Sequence, residues 1–285
     1  MLFWGASFVF TKHLLTDLQP TYIIFLRLLL ASIIFLLFSI IIFGKKMMIA
    51  RKDFPYFIGL TFFEPFLYFL FETYSLQLCD ASVVAVIIAT IPLFISILAI
   101  FYFKERLSAL NFFGIGISIF GIVIMLYPNF LDSSFSFTGI ALAFGAVLCT
   151  LGYNFFLKKI PVTYSPIVVI TWQNLLGLIA FLPVIFIFNK SESLAIQTQT
   201  LYDPINFTYL LLLAVFCSSL AFILYVNALR VIGMAKTSIF TNLIPVITAI
   251  ISFFLLHEQF TIYKILGIFI AISGILLVQI KKRNL

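Results

Sequence analysis

Moving 153 residues along this chain brings it back onto itself. Leu76 meets Leu229, Pro92 meets Pro245, Glu105 meets Glu258, Gly114 meets Gly267 and Gly121 meets Gly274. In each copy a proline lies within an apolar run, a glutamate closes that run, and spaced glycines follow it. A second offset of 146 relates Lys12 to Lys158, Pro20 to Pro166 and Arg27 to Gln173, and the seven extra residues fall in the polar stretch 189–206 (NKSESLAIQTQTLYDPIN). The chain is two copies of one unit. Any fold it adopts has to satisfy the same pattern twice.

The solvent of that unit follows from composition. Of 285 residues, 64% are hydrophobic and only 9% charged, where a soluble domain carries about a quarter charged residues. Apolar runs fall at about 1–18, 20–43, 54–78, 81–103, 109–128, 137–157, 162–188, 207–230, 235–256 and 261–280. Runs of about 20 residues cross a hydrocarbon layer of roughly 30 Å. They are continuous rather than alternating with period two, which disfavours a β-barrel. The expected fold is all-α: a polytopic membrane protein with ten transmembrane helices in two five-helix repeats. The repeats span 1–128 and 137–285, joined by an outer connection at 129–136. The first run is short, with only about 15 apolar residues before Asp17. A chain start upstream of Met1, or a shallow or tilted helix, is the expectation there. No cleavable signal peptide is expected, because that run leads into a repeat element.

The connections orient the bundle. Lys45, Lys46, Arg51 and Lys52 follow the second run, Lys104 and Arg106 the fourth, and Lys158 and Lys159 the sixth. Arg230 and Lys236 lie between the eighth and ninth, and Lys281, Lys282 and Arg283 end the chain. With simple alternation these thirteen cations share one side, against three (Lys12, Lys190, Lys264) on the other. The positive-inside rule then puts both termini in the cytoplasm of a cell (plasma or inner) membrane. It also accounts for the net charge of +7, so a nucleic-acid partner is not expected. Five helices per copy is an odd number, so successive copies enter the membrane from opposite sides. That is the inverted repeat common in secondary transporters.

Several segments carry a family likeness: WGASFVFTKHLL at 4–15, LRLLLA at 26–31 and YSLQL at 74–78, with IPLFISILAIFYFKERLSALNFFGIGISIFGIVIML at 91–126 and its echo IPVITAIISFFLLHEQFTIYKILGIFIAISGILLV at 244–278. With these, in this order and over the whole chain, it resembles the drug/metabolite transporter superfamily, specifically EamA-type ten-helix permeases. P-x(12)-E followed by spaced glycines is a loose motif; the two copies and the arginine of the second helix carry the match. The resemblance implies a five-plus-five inverted bundle around a central cavity. It also implies export or import of small metabolites by alternating access. The short first run departs from the usual pattern beside Trp4.

Charge inside the apolar runs marks the candidate cavity. Glu64 and Glu72 lie in the third run, eight residues apart with Tyr68 midway, so the three share roughly one helix face. A charge at mid-bilayer costs several kcal/mol even on lenient scales, so such a stripe should face a polar cavity. A carboxylate there could exchange protons during transport; the plainer alternative is a carboxyl that only ties helices together. Arg27 lies about seven residues into the second helix, or roughly 10 Å, at a depth similar to Glu72. It could pair with Glu72, bind a substrate carboxylate bidentately, or carry its head out to the interface.

Pro92 and Pro245 occupy equivalent sites and should break their helices, freeing carbonyls that can line a cavity, with Thr90 and Asn242 beside them; hinge geometry without substrate contact is the alternative. Trp172, Gln173 and Asn174, Trp4, and Tyr153 with Asn154 are polar-aromatic candidates, each taken alone better explained by packing or interfacial anchoring. Gly114, Ser118 and Gly121, with Gly267, Ala271 and Gly274, form small-residue stripes that suit close helix packing.

No cofactor or metal is expected. The three cysteines are scattered and the two histidines lie far apart. A membrane enzyme would need clustered nucleophiles or metal ligands, and an ATP-driven pump a GxxxxGK[ST] loop. A channel without alternating access stays open as a further class. The expected partners are a small-molecule substrate, the lipid bilayer and protons, in a monomer or homodimer.

Overall fold

The structure, a computed structural model, describes residues 1–94, 109–131, 136–188, 197–232, 237, 240–259 and 261–279. The expected helix-end residues Lys104, Glu105 and Arg106 lie outside the described residues, as do Lys190, Lys236, Lys281, Lys282, Arg283 and residues 132–135 of the outer connection. Among the described residues there is no strand. The α-helices are α1 (Leu2–Leu14), α2 (Pro20–Phe43), α3 (Phe54–Thr61), α4 (Tyr68–Leu78), α5 (Ala81–Ile88) and α6 (Ala109–Leu131). They continue with α7 (Phe137–Lys159), α8 (Pro166–Phe188), α9 (Pro204–Leu212), α10 (Ala221–Ile232), α11 (Leu243–Leu255) and α12 (Ile262–Gln279).

Their boundaries follow local chemistry. Pro20 opens α2, where its missing N–H costs nothing. Gly44, at φ 48°, closes it in a conformation that favours glycine. The Ser136 hydroxyl accepts the Gly139 N–H at 3.0 Å to cap α7, and the Asp203 carboxylate accepts the Ile205 N–H at 3.0 Å ahead of Pro204 to start α9.

Five stretches are long and apolar enough to cross a membrane: Pro20–Met47, Phe54–Leu78, Phe137–Lys159, Pro166–Ile187 and Pro204–Val231. Ala81–Phe94, Phe113–Met125, Phe240–Leu255 and Ile262–Leu277 are shorter apolar helices. The outward faces are apolar too, with Ile41, Phe186 and Phe269 standing exposed. Water does not tolerate so much contiguous apolar surface; lipid requires it. The protein is an all-helical, polytopic membrane protein.

Among the described residues, four departures from regular α-helix stand out. α3 and α4 are joined by a wide, π-type turn at Phe62–Leu67, and α9 and α10 by another at Leu213–Leu220. Adding the 153-residue offset to 62–67 gives 215–220, so the two wide turns occupy equivalent places in the two copies. The other two interruptions precede the paired prolines. A turn at 89–90 separates α5 from the segment holding Pro92, and a 3-10 turn at Phe240–Asn242 precedes α11, where Pro245 is the third residue. A proline ring clashes with the carbonyl four residues back but fits the first turn of a helix. Each proline therefore begins a new helical segment rather than bending an unbroken one.

α6 packs most extensively on α12, α2 on α8, α4 on α7 and α1 on α11. Small residues set the α6–α12 approach. A Cβ at Gly121 would strike the backbone of Ala271, and one at Gly274 the backbone of Ser118. In lipid no hydrophobic force draws helices together, so this close fit is what holds them.

Candidate functional site

The site begins at the break in the third apolar run. Pro65 has no N–H to give, and Glu64 before it takes an extended conformation (φ −150°, ψ 119°) inside otherwise helical chain. The break turns Glu64 inward, where it is 5% exposed. Two turns further on, Glu72 is equally buried, and Tyr68 between them donates to Glu72 Oε1 at 3.4 Å. All three line one cavity with Arg27 of α2. The stripe expected from the eight-residue spacing therefore faces a common space, though through a broken helix rather than a straight one.

Arg27 is 2% exposed, so its head does not reach the membrane surface. Its Nε donates to Ser218 Oγ at 2.9 Å, its guanidinium carbon stands 3.8 Å above the Phe69 ring, and Nη1 lies 3.9 Å from Glu72 Oε2. The last distance is that of an ion pair without a direct hydrogen bond. Burying a charge is costly unless it is paired and hydrogen-bonded, and here the cost is offset by a hydroxyl, an aromatic face and a carboxylate together. Ser218 comes from the wide turn between α9 and α10. Asn174 of α8 steadies that turn, its Nδ2 donating to Ser219 Oγ at 3.1 Å.

Aromatic side chains close the opposite wall. Trp4 of α1 meets Phe222 edge-on at 5.0 Å and Tyr225 at 5.2 Å, and Tyr153 of α7 meets Phe222 at 6.1 Å. The Tyr225 hydroxyl donates to Asn154 Oδ1 at 3.0 Å, and Asn154 Nδ2 donates to the Thr150 carbonyl at 2.9 Å. Tyr225 is thus held rigid. The enclosed volume is about 50 Å³, room for a few waters.

Of the sequence candidates, Trp4, Arg27, Glu64, Tyr68, Glu72 and Tyr153 line this cavity. Thr90, Asn154, Trp172, Gln173 and Asn242 are not among its described lining. Thr90 returns its hydroxyl to the Ile87 carbonyl at 2.6 Å at the turn before Pro92. Asn154 stands behind the wall and orients Tyr225. The Trp172 indole N–H is spent on the Met47 carbonyl at 2.8 Å. Gln173 and Asn242 are buried. Sequence reasoning missed Ser218, Phe69 and Tyr225. The internal repeat would have found two of them: 153 residues added to Pro65 and Glu72 gives Ser218 and Tyr225.

A second polar cluster ties the bundle at the opposite end of α1 from Trp4. Lys12 Nζ donates to the carbonyls of Leu76 at 2.6 Å and Cys79 at 2.8 Å, at the end of α4. Glu258 accepts the Ala81 N–H at 2.8 Å and the Ser82 hydroxyl at 2.6 Å, capping α5, and Lys264 pairs with Asp80. A cation at a helix C-terminus and an anion at an N-terminus both complement the helix dipole. Glu258→Ala strands the Ala81 N–H and is expected to cost about 1–2 kcal/mol. The apparent melting temperature in mild detergent should fall by several degrees, with Glu258→Gln intermediate; an unchanged temperature would remove the cap from the account of stability.

Comparison with known proteins gives a consistent picture. A model of the EamA-like transporter family matches residues 1–127 and again residues 137–280. A protein of Archaeoglobus fulgidus named an uncharacterized transporter is 28% identical over 281 residues, covering 99% of this chain and 96% of its own. The uncharacterized transporter YetK of Bacillus subtilis is 26% identical, covering 98% of this chain and 84% of its own. The uncharacterized inner membrane transporter YicL of Salmonella typhimurium is 27% identical over 154 residues, 54% of this chain and 47% of its own. A crystal structure of a protein 14% identical superposes with a TM-score of 0.65 over 97% of this chain and 92% of its own, a likeness of fold alone.

Proposed function

The chain belongs to the EamA-like transporter family, and from that premise we propose that it is a secondary transporter that exports small metabolites (amino acids, amines or similar) by alternating access, coupled to protons. The observation that carries this reading is the cluster of Arg27, Glu64 and Glu72, buried at one cavity inside a bundle with an apolar exterior. Ionisable groups at such depth mark substrate and proton paths.

Two further features support it. The family model matches each copy separately, in line with two five-helix repeats, ten helices and both termini in the cytoplasm. The cavity, of about 50 Å³, is narrow, and in this reading the helices part to admit a substrate. The four interruptions that flank it supply places where they can do so.

Glu72 is the proposed coupling carboxylate, because it is ion-paired with Arg27 and accepts from Tyr68, and a change in its protonation reorganises both. In proteoliposomes, a pH gradient should accelerate uptake of labelled metabolites by the wild type. Glu72→Gln should bring that rate down to the gradient-free level, a loss of about ten-fold or more, while exchange of substrate across the membrane persists. Equal stimulation of variant and wild type would remove Glu72 from the coupling step. A wild type that moves nothing on a broad amino-acid and amine panel would sink the transporter reading.

A further inference from the structure

Arg27 is partly committed within the protein, and its Nη1 has no hydrogen-bond partner among the described residues. Its Nε is bonded to Ser218, its guanidinium carbon lies over the Phe69 ring, and Nη1 faces Glu72 at 3.9 Å. Glu64 has no such provision: among the described residues no group hydrogen-bonds its carboxylate, although it is 5% exposed and lines the cavity. Among the described residues the charged groups at the cavity are one guanidinium and two carboxylates, so this lining is one positive charge short. A site withdrawn from water does not sustain an uncompensated charge. Among the described residues the other titratable groups facing Glu64 are the hydroxyls of Tyr68, Tyr153 and Tyr225 and the Cys149 thiol, none of them a cation.

A second observation stands beside this charge count. The Tyr153 hydroxyl is fully buried, lines the same cavity and has no hydrogen-bond partner among the described residues. Buried polar atoms of this kind are rare and point to a missing partner. A donor between Tyr153 and Glu64 would satisfy both. The wall around them is aromatic: Trp4 contacts Phe222 at 5.0 Å and Tyr225 at 5.2 Å. Aromatic faces hold cations and apolar bodies alike.

Resting on the transporter reading above, we infer that the substrate is an organic monocation, a protonated amine with an aromatic or apolar body and no carboxylate, whose ammonium group sits between Glu64 and Tyr153. A zwitterionic amino acid fits less well. Its carboxylate would have to take Glu72's place at Arg27, adding a third negative charge to a site that already holds two.

The test compares uptake of phenethylamine and tryptamine with uptake of their parent amino acids, phenylalanine and tryptophan, in proteoliposomes. The wild type should carry the amines at least about ten-fold faster, and Glu64→Gln should lose about ten-fold or more of that rate, with Tyr153→Phe losing several-fold. Glu64 lies at a backbone break, so binding is also read without altering it. The chain has two tryptophans, and Trp172 lies outside the described cavity lining. Trp172→Phe leaves Trp4 as the sole reporter, and its fluorescence should change saturably with phenethylamine and not with phenylalanine. Transport of the parent amino acids but not the amines overturns the inference and leaves the transporter reading standing. So does transport driven by a pH gradient but blind to amines, which would mean that Glu64 takes only a proton. Transport of nothing at all overturns both.

Discussion

Gly121→Val is expected to abolish recovery of folded protein. At Gly121 even the first atom of a side chain would run into the backbone of Ala271, and the carbonyl of Gly267 is also close. Backbone of a helix interior cannot move aside as a flexible side chain can, so α6 and α12 would have to separate. The same holds in mirror fashion at Gly274, where a Cβ meets Ser118 and Gly114. Overpacking of a well-fitted interior costs about 1–3 kcal/mol; a clash against backbone at the most extensive helix contact should reach the exceptional range above about 4 kcal/mol. Gly116 is the internal control. It lies on the same helix with open space around its Cβ position, and Gly116→Ala should be neutral or slightly stabilising. Yield and monodispersity in mild detergent decide the matter. A Gly121→Val protein as abundant and monodisperse as wild type would show that the two helices are not held by close approach.

The small-residue stripes were legible in the sequence because lipid leaves a helix pair few other ways to associate, and the spacing of Gly114, Ser118 and Gly121 is visible without coordinates. Glu64, Glu72 and Arg27 were legible for a related reason: a charge in an apolar run is too costly to be incidental. Their partners carry no such mark. Ser218 is one hydroxyl among many in the apolar runs, and Phe69 is one of 37 phenylalanines. Only a shared place in the structure makes them ligands of Arg27.

Hydropathy sees apolar continuity and is blind to breaks within it. Pro65 stood in view inside the run 54–78, yet a run of unbroken apolar character reads as one helix. Pro92 and Pro245 did mark breaks, and the turn falls just before each proline rather than at it. Trp172 shows the limit for aromatic residues. An indole in mid-run fits a substrate wall and a packing anchor equally, and a carbonyl of Met47, 125 residues away, decides for the anchor.

Replacement of Arg27 is expected to have the second large effect, and paired substitutions can divide it into a structural and a functional part. Arg27→Leu leaves Glu72 and Glu64 as buried carboxylates without a cation and Ser218 without its donor. Removing one partner of a buried pair costs about 3–5 kcal/mol, and transport should disappear. Arg27→Lys keeps the charge but loses the planar group that bonds Ser218 while standing over Phe69; it should fold and transport about ten-fold more slowly or less. Wild-type rates in Arg27→Lys would mean that charge alone matters there. The double variant Arg27→Leu with Glu72→Leu is the decisive case. Replacing both members of a buried ion pair by apolar side chains is often neutral for stability, so the melting temperature should recover most of what Arg27→Leu lost, while transport stays absent. Recovery of both would reduce the pair to packing. Recovery of stability without transport would show that the charges are retained, at a cost to the fold, for the movement of substrate.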